Sequence, residues 1–117
     1  MSKRAHIAKV RQRLLSRRDE LRGLIDDARE AQAPVELDQT RIGRLSRMDA
    51  LQDQALARAT LRLREEELQR IGAALKRLET DDYGYCVACG DDIDPKRLEL
   101  DPTVPTCIDC AQAAGRG

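Results

Sequence analysis

Four cysteines arranged as Cys86-Val-Ala-Cys89 and Cys107-Ile-Asp-Cys110, with 17 residues between the inner pair, constrain this chain more than any other feature of its sequence. Two CxxC pairs at that separation present four thiolates to one tetrahedral ion, the ligand set of a structural zinc site. Because four thiolates close the coordination sphere, no position is left for water or substrate, and the expected role of one Zn²⁺ is to hold structure. Cys86, Cys89, Cys107 and Cys110 are the expected ligands.

Two other readings of the cysteines fail on context. A disulfide framework belongs to secreted domains, yet the chain opens on Met-Ser-Lys-Arg-Ala-His, which lacks a signal peptide's apolar run. No stretch approaches the roughly 18 apolar residues of a membrane span, so a cytoplasmic location is expected. Thioredoxin-like redox motifs use one CxxC beside a βαβ unit, and this sequence has two and no such pattern.

Composition bears on what surrounds the zinc. Charged residues are 36% of the 117, aromatics 2%, and Phe and Trp are absent. Such a chain cannot build a large aromatic core, whereas its Ala, Leu, Glu, Arg and Gln suit long helices. Its two aromatics, Tyr83 and Tyr85, sit just before the first cysteine pair, where a small core gains folding energy from the metal.

Apolar residues recur at heptad spacing upstream of the cysteines. In a first helix Ile7, Leu14, Leu21 and Ala28 stand seven apart, with Val10, Leu24 and Ala31 filling the complementary position and Arg17 interrupting it. In a second, Leu61, Leu68 and Leu75 alternate with Arg64, Ile71 and Leu78, while Met48, Leu51, Ala55 and Ala59 follow a shifted phase that predicts looser packing. Gly23 and Gly72 weaken these helices by up to about 1 kcal/mol each without ending them. Pro34 and Gly43 mark a break. Ser46 reads as the N-cap of helix two, with Asp49 as its capping-box acid.

The predicted organisation is mainly α, an antiparallel two-helix coiled-coil hairpin with a small four-cysteine zinc finger at its base. Residues 1–80 form the hairpin, with a helix at 4–32, a tip loop at 33–46 and a helix at 47–80. Residues 81–114 form the finger and a short C-terminal helix, and 115–117 a tail.

Charge excludes one common use of such a finger. The chain is neutral overall, but residues 1–18 carry seven basic side chains and no acid, whereas residues 81–110 carry eight acids against Lys96 and Arg97. Nucleic-acid affinity depends on Lys and Arg displacing counterions from phosphates, so this acidic finger is not expected to read DNA. The basic helix face is expected to be solvated, to pair with the finger or with Glu65, Glu66 and Glu67, or to meet an acidic partner. His6 lies in that stretch and is read as solvated, since four thiolates already saturate the ion.

The run Tyr83-Gly84-Tyr85-Cys86-Val-Ala-Cys89-Gly90, with Ile93, Arg97-Leu98, Pro102 and Cys107-Ile-Asp-Cys110-Ala111, resembles the zinc finger of the DksA/TraR family. The preceding Ala73-Ala74-Leu75-Lys76-Arg77-Leu78 resembles that family's run into it. The resemblance implies a non-enzymatic bacterial regulator that binds RNA polymerase and inserts its coiled-coil tip into the secondary channel, modulating promoter complexes. A monomer without sequence-specific DNA binding is expected. The competing reading is a zinc-stabilised helical adaptor or chaperone-like module for another protein partner.

Departures from the family's pattern fall at its working ends. The tip motif Asp-x-x-Asp-x-Ala aligns with Gly43 to Met48, without its two acids; a shift of three residues makes Asp49 a single acid. Arg44, Ser46, Arg47 and Asp49 are therefore the candidate partner-binding residues, Asp49 standing either as a cap or as a polymerase contact. Members that use guanosine tetraphosphate (ppGpp) carry basic residues at the positions of Asp101 and Ala111, and a further Lys at Arg70. With one cation of three retained, tight ppGpp binding is not expected.

Overall fold

In a computed structural model of the chain, residues 3–31 and 44–115 are described. Four helices follow in order: α1 at Lys3–Ala31, α2 at Arg44–Glu79, α3 at Pro95–Leu100 and α4 at Ile108–Gly115. Among the described residues the extended structure is one isolated antiparallel bridge, Tyr85 to Asp92. Both α1 and α2 continue through their glycines, Gly23 and Gly72.

The chain divides into two compact units, one of Met1–Arg18 with Gln69–Gly117 and the other of Asp19–Leu68. In each, α1 and α2 pack together, and the first half of α1 shares a unit with the last part of α2, so the helices are antiparallel. The first unit is built on Leu14 from α1, Ile71, Ala74 and Leu78 from α2, and Cys86 and Ile93 from the finger, all buried. The second is centred on Leu21 and Ile25. Leu14 and Leu21 are the heptad positions of the sequence; Ile25 and Ala74 lie outside the expected seam and are buried because a 3.6-residue helix drifts against a strict seven-residue repeat.

Within the second unit, Arg29 Nη2 donates to Glu65 Oε1 at 2.9 Å and marks the register. Glu65 thus lies opposite the last turn of α1, and α2 extends past it by roughly five turns with no described α1 residue opposite. Consistent with this, residues 51–59 are all exposed, Leu51 and Leu56 at 65% and 68%. Met48, Leu51, Ala55 and Ala59, whose phase is shifted, fall on this section of α2, which has no described α1 residue opposite.

The start of α2 requires a correction. The helix begins at Arg44, so Ser46 lies inside it and is not its N-cap, and Asp49 is not the acid of a capping box. The expected boundary at 47 followed the cap signal, whereas Arg44 and Leu45, both good helix formers, continue the helix backward. The expected tip loop, apart from residues 44–46, lies with Ala33 and Pro34 outside the described residues.

At its other end α2 closes with a Schellman arrangement: Asp82 N–H donates to the Arg77 carbonyl at 3.1 Å, with Asp81 in the left-handed region at φ 62°. Glycine is the usual residue there; aspartate tolerates the conformation better than most. This turn directs the chain into the finger.

Candidate metal centre

The first CxxC sits on a tight turn. Cys86 N–H donates to the Asp91 carbonyl at 2.8 Å and Gly90 N–H returns to the Cys86 carbonyl at 2.9 Å, with Gly90 at φ 80°. A Cβ at Gly90 would be strained, which explains the glycine directly after Cys89. The second CxxC uses a helix start. The Cys107 carbonyl accepts from Ala111 N–H at 3.0 Å, so Cys107 stands at the entrance of α4 and Cys110 follows one turn on, on the same side. Val87 N–H to the Pro105 carbonyl, 2.9 Å, ties the two halves together.

The four sulfurs lie within 4.8 Å of one another, and Cys89 Sγ to Cys107 Sγ is 3.8 Å. A tetrahedral zinc holding sulfurs at about 2.3 Å sets its ligands about 3.8 Å apart along each edge, so the donor set fits the ion. The cluster runs from buried Cys86 to exposed Cys89.

Proton affinities show why a cation belongs here. The Cys86 thiol is drawn down to about 6, chiefly because Cys107 N–H donates to its sulfur; burial opposes this, and N–H groups of Cys89 and Ala88 add to it. Cys110 is pushed up to about 12 because its thiol donates toward the sulfurs of Cys107, Cys86 and Cys89. Backbone N–H groups therefore favour a thiolate at Cys86, while hydrogen bonds among the sulfurs hold the proton on Cys110. A divalent ion takes the place of such protons.

Structure around the sulfurs comes from contacts of Asp94, Asp101, Arg77, Arg97 and Tyr83. Asp94 Oδ1 accepts from Lys96 N–H at 3.0 Å and caps α3, with Pro95 in its first turn. The Asp94-Pro95 pair was a legible helix start. Asp101 Oδ1 accepts from both Thr103 N–H, 3.0 Å, and the buried Thr103 hydroxyl, 2.6 Å. Arg77 Nη2 reaches the Thr103 carbonyl at 3.3 Å and Arg97 Nε the Thr106 carbonyl at 3.1 Å, so two guanidiniums clamp the loop before Cys107. The Tyr83 hydroxyl donates to the Pro102 carbonyl at 2.9 Å, and burial raises its pKa against the pull of Arg77 and Arg13. Tyr85 is 42% exposed and is not core.

Basic α1 meets the finger through backbone. Arg13 Nη1 donates to the Glu99 carbonyl at 2.7 Å, whereas the recorded partner of Glu65 is Arg29, which lies outside the basic stretch. His6 is exposed. Of the candidate partner-binding residues, Arg47 and Asp49 are exposed on α2, and Arg44 and Ser46 lie in its first turn. No described helix is long and apolar enough to cross a membrane.

Residues 81–114 match the family described as the prokaryotic dksA/traR C4-type zinc finger. Among curated proteins, the RNA polymerase-binding transcription factor DksA of Haemophilus influenzae is 49% identical over 57 residues, covering 46% of this chain and 39% of that protein. DksA of Escherichia coli K12 is 44% identical over 57 residues, covering 46% and 38%. The match thus spans about two fifths of the length of these relatives. The structure of transcription factor DksA2 from Pseudomonas aeruginosa superposes with a TM-score of 0.75 at 25% identity, covering 97% of this chain and 86% of that one. The finger at residues 81–114 thus matches the prokaryotic dksA/traR C4-type zinc finger, and the fold of the chain is that of DksA2.

Proposed function

We propose that this protein binds RNA polymerase directly and regulates transcription, with zinc as a structural staple and no catalysis of its own. The observation that carries this reading is the likeness to a transcription factor over 97% of the chain, joined to a finger of the same family. The finger's acidity supports a protein partner over nucleic acid. In this reading the N-terminal part of α2 enters the polymerase secondary channel, and Arg44, Ser46, Arg47 and Asp49 make the contacts that modulate promoter complexes. Exposure of Arg47 and Asp49 on a section of α2 with no described α1 residue opposite supports their availability. Asp49, inside α2 and exposed, is available for a partner contact.

The protein acts as a cytoplasmic monomer, without sequence-specific DNA binding and without tight ppGpp binding. Asp101 supports the last point, because its carboxylate both replaces a family cation and is engaged by Thr103.

Capture on purified RNA polymerase, followed by abortive transcription at a ribosomal RNA promoter, tests the proposal. Binding with altered abortive yield is expected, and the double variant Arg47→Ala, Asp49→Ala is expected to bind while losing the effect on yield. Absence of binding would sink the reading as a polymerase regulator. An effect retained in the double variant would remove the role given to Arg47 and Asp49.

A further inference from the structure

Between the first half of α1 and the finger, within one compact unit, lies a cleft of about 600 Å³. That volume is in the range of small-molecule sites, about 300–1,000 Å³. Its floor is apolar: Val10, Ile93 and Leu98 line it beside the ring of Tyr83, whose hydroxyl is already engaged by Pro102. One wall is α1, presenting His6, Lys9 and Arg13 at positions that share a helix face. The finger contributes Asp92 and Glu99.

The charges of the two walls do not meet. Arg13 spans the cleft edge, but it reaches the main-chain carbonyl of Glu99 and not a carboxylate. Among the described residues, Lys9 makes no hydrogen bond or ion pair, and neither carboxylate has a cationic partner. A cation and two carboxylates therefore line one apolar-floored space without pairing across it. A molecule that satisfies both walls carries an anionic end, a cationic end and an apolar body.

We infer that this cleft is a binding site for a zwitterionic, apolar peptide of about two residues, its carboxylate on Lys9 and His6 and its ammonium on Asp92 and Glu99. The body of the ligand covers Val10, Leu98 and the Tyr83 ring. Zwitterionic ends give orientation and the floor gives affinity, as in other mostly apolar pockets with a few placed polar groups. The inference is independent of polymerase binding, and its test uses no polymerase.

The experiment is an NMR titration of the ¹⁵N-labelled, zinc-loaded full chain with the dipeptide Leu-Leu, with free leucine and with the end-blocked N-acetyl-Leu-Leu-amide. Saturable shifts at residues 6–13, 83–85 and 92–99 with Leu-Leu are expected, with the blocked peptide about tenfold weaker for loss of its charged contacts. Free leucine is expected to shift the same residues more weakly, since it fills less of the floor. Lys9→Glu and Asp92→Asn are each expected to weaken Leu-Leu about tenfold. Their unchanged spectral dispersion elsewhere would show that the fold is kept. No saturable shift up to about 10 mM Leu-Leu, equal binding of the blocked peptide, or unchanged binding in both variants would overturn the assignment.

Discussion

Cys89 Sγ lies 3.8 Å from Cys107 Sγ, so the sulfurs that close the finger come from its two separate halves, one on a turn and one at a helix start. Neither half has a sizeable core of its own; among the finger's residues the buried apolar side chains are Cys86, Ile93 and Pro102. The metal therefore does the work that a hydrophobic core does elsewhere, since structural zinc contributes its binding energy to folding.

Replacing Cys107 by Ser is expected to remove zinc and unfold the finger. Metal content by mass spectrometry falls from about one ion per chain to well below half. The helix signal of α3 and α4 is lost, while that of Asp19–Leu68 in the second unit is retained. Unchanged metal content would contradict the ligand assignment.

Asp81 holds a left-handed conformation that costs a residue with a Cβ about 1–2 kcal/mol, part of which aspartate offsets. Asp81→Gly is expected to raise stability by about 0.5–1 kcal/mol in chemical denaturation, because the Schellman bond from Asp82 remains and the strain goes. A loss of stability would show that the Asp81 side chain itself holds the turn.

Asp101→Ala is expected to cost about 1–2 kcal/mol, since it leaves the buried Thr103 hydroxyl and its N–H without their acceptor. Asp101→Lys, which supplies the cation that the DksA/TraR resemblance implies for a ppGpp site, carries the same cost. Calorimetry on that variant separates the two effects: any ppGpp affinity it gains comes with a lowered melting temperature.

Tyr83 titrates above its ordinary value of 10.0 because of burial, so the folded chain keeps a proton that the unfolded chain gives up. The corresponding stability is complete below pH 10.0 and is lost as the pH rises through the folded-state value. Tyrosinate absorbance is expected to rise in two steps, the later one absent in Tyr83→Phe. That variant also loses the bond to Pro102, at about 0.5–1.5 kcal/mol near neutral pH.

In the second unit, burial outweighs charge. Leu21, with no accessible surface, is expected to cost about 2–4 kcal/mol on truncation to Ala. Arg29→Ala, which breaks an exposed pair at 2.9 Å, is expected to cost less than about 0.5 kcal/mol. Urea melts of the two variants, read by helix ellipticity, check the ranking.

Much of the architecture was legible because its signals are local. Leu14 and Leu21 repeat every seven residues, and the cysteine pairs carry their ligand geometry in their spacing. Ser46 misled because a capping residue specifies a helix start only if nothing upstream continues the helix, and Arg44 and Leu45 do. Asp101 was read as a lost cation. Its carboxylate is instead an acceptor for Thr103, a relation that depends on a turn the sequence did not reveal.

By itself, the sequence determined that four thiolates converge on one ion and that two amphipathic helices pack together, because both follow from residue type at fixed spacing. Only the tertiary structure decided the register of α1 on α2, the carbonyls that Arg13, Arg77 and Arg97 reach, and the charged walls that face one cleft. Those relations join residues up to 86 positions apart, where chain spacing carries no geometric information and packing alone sets the distance.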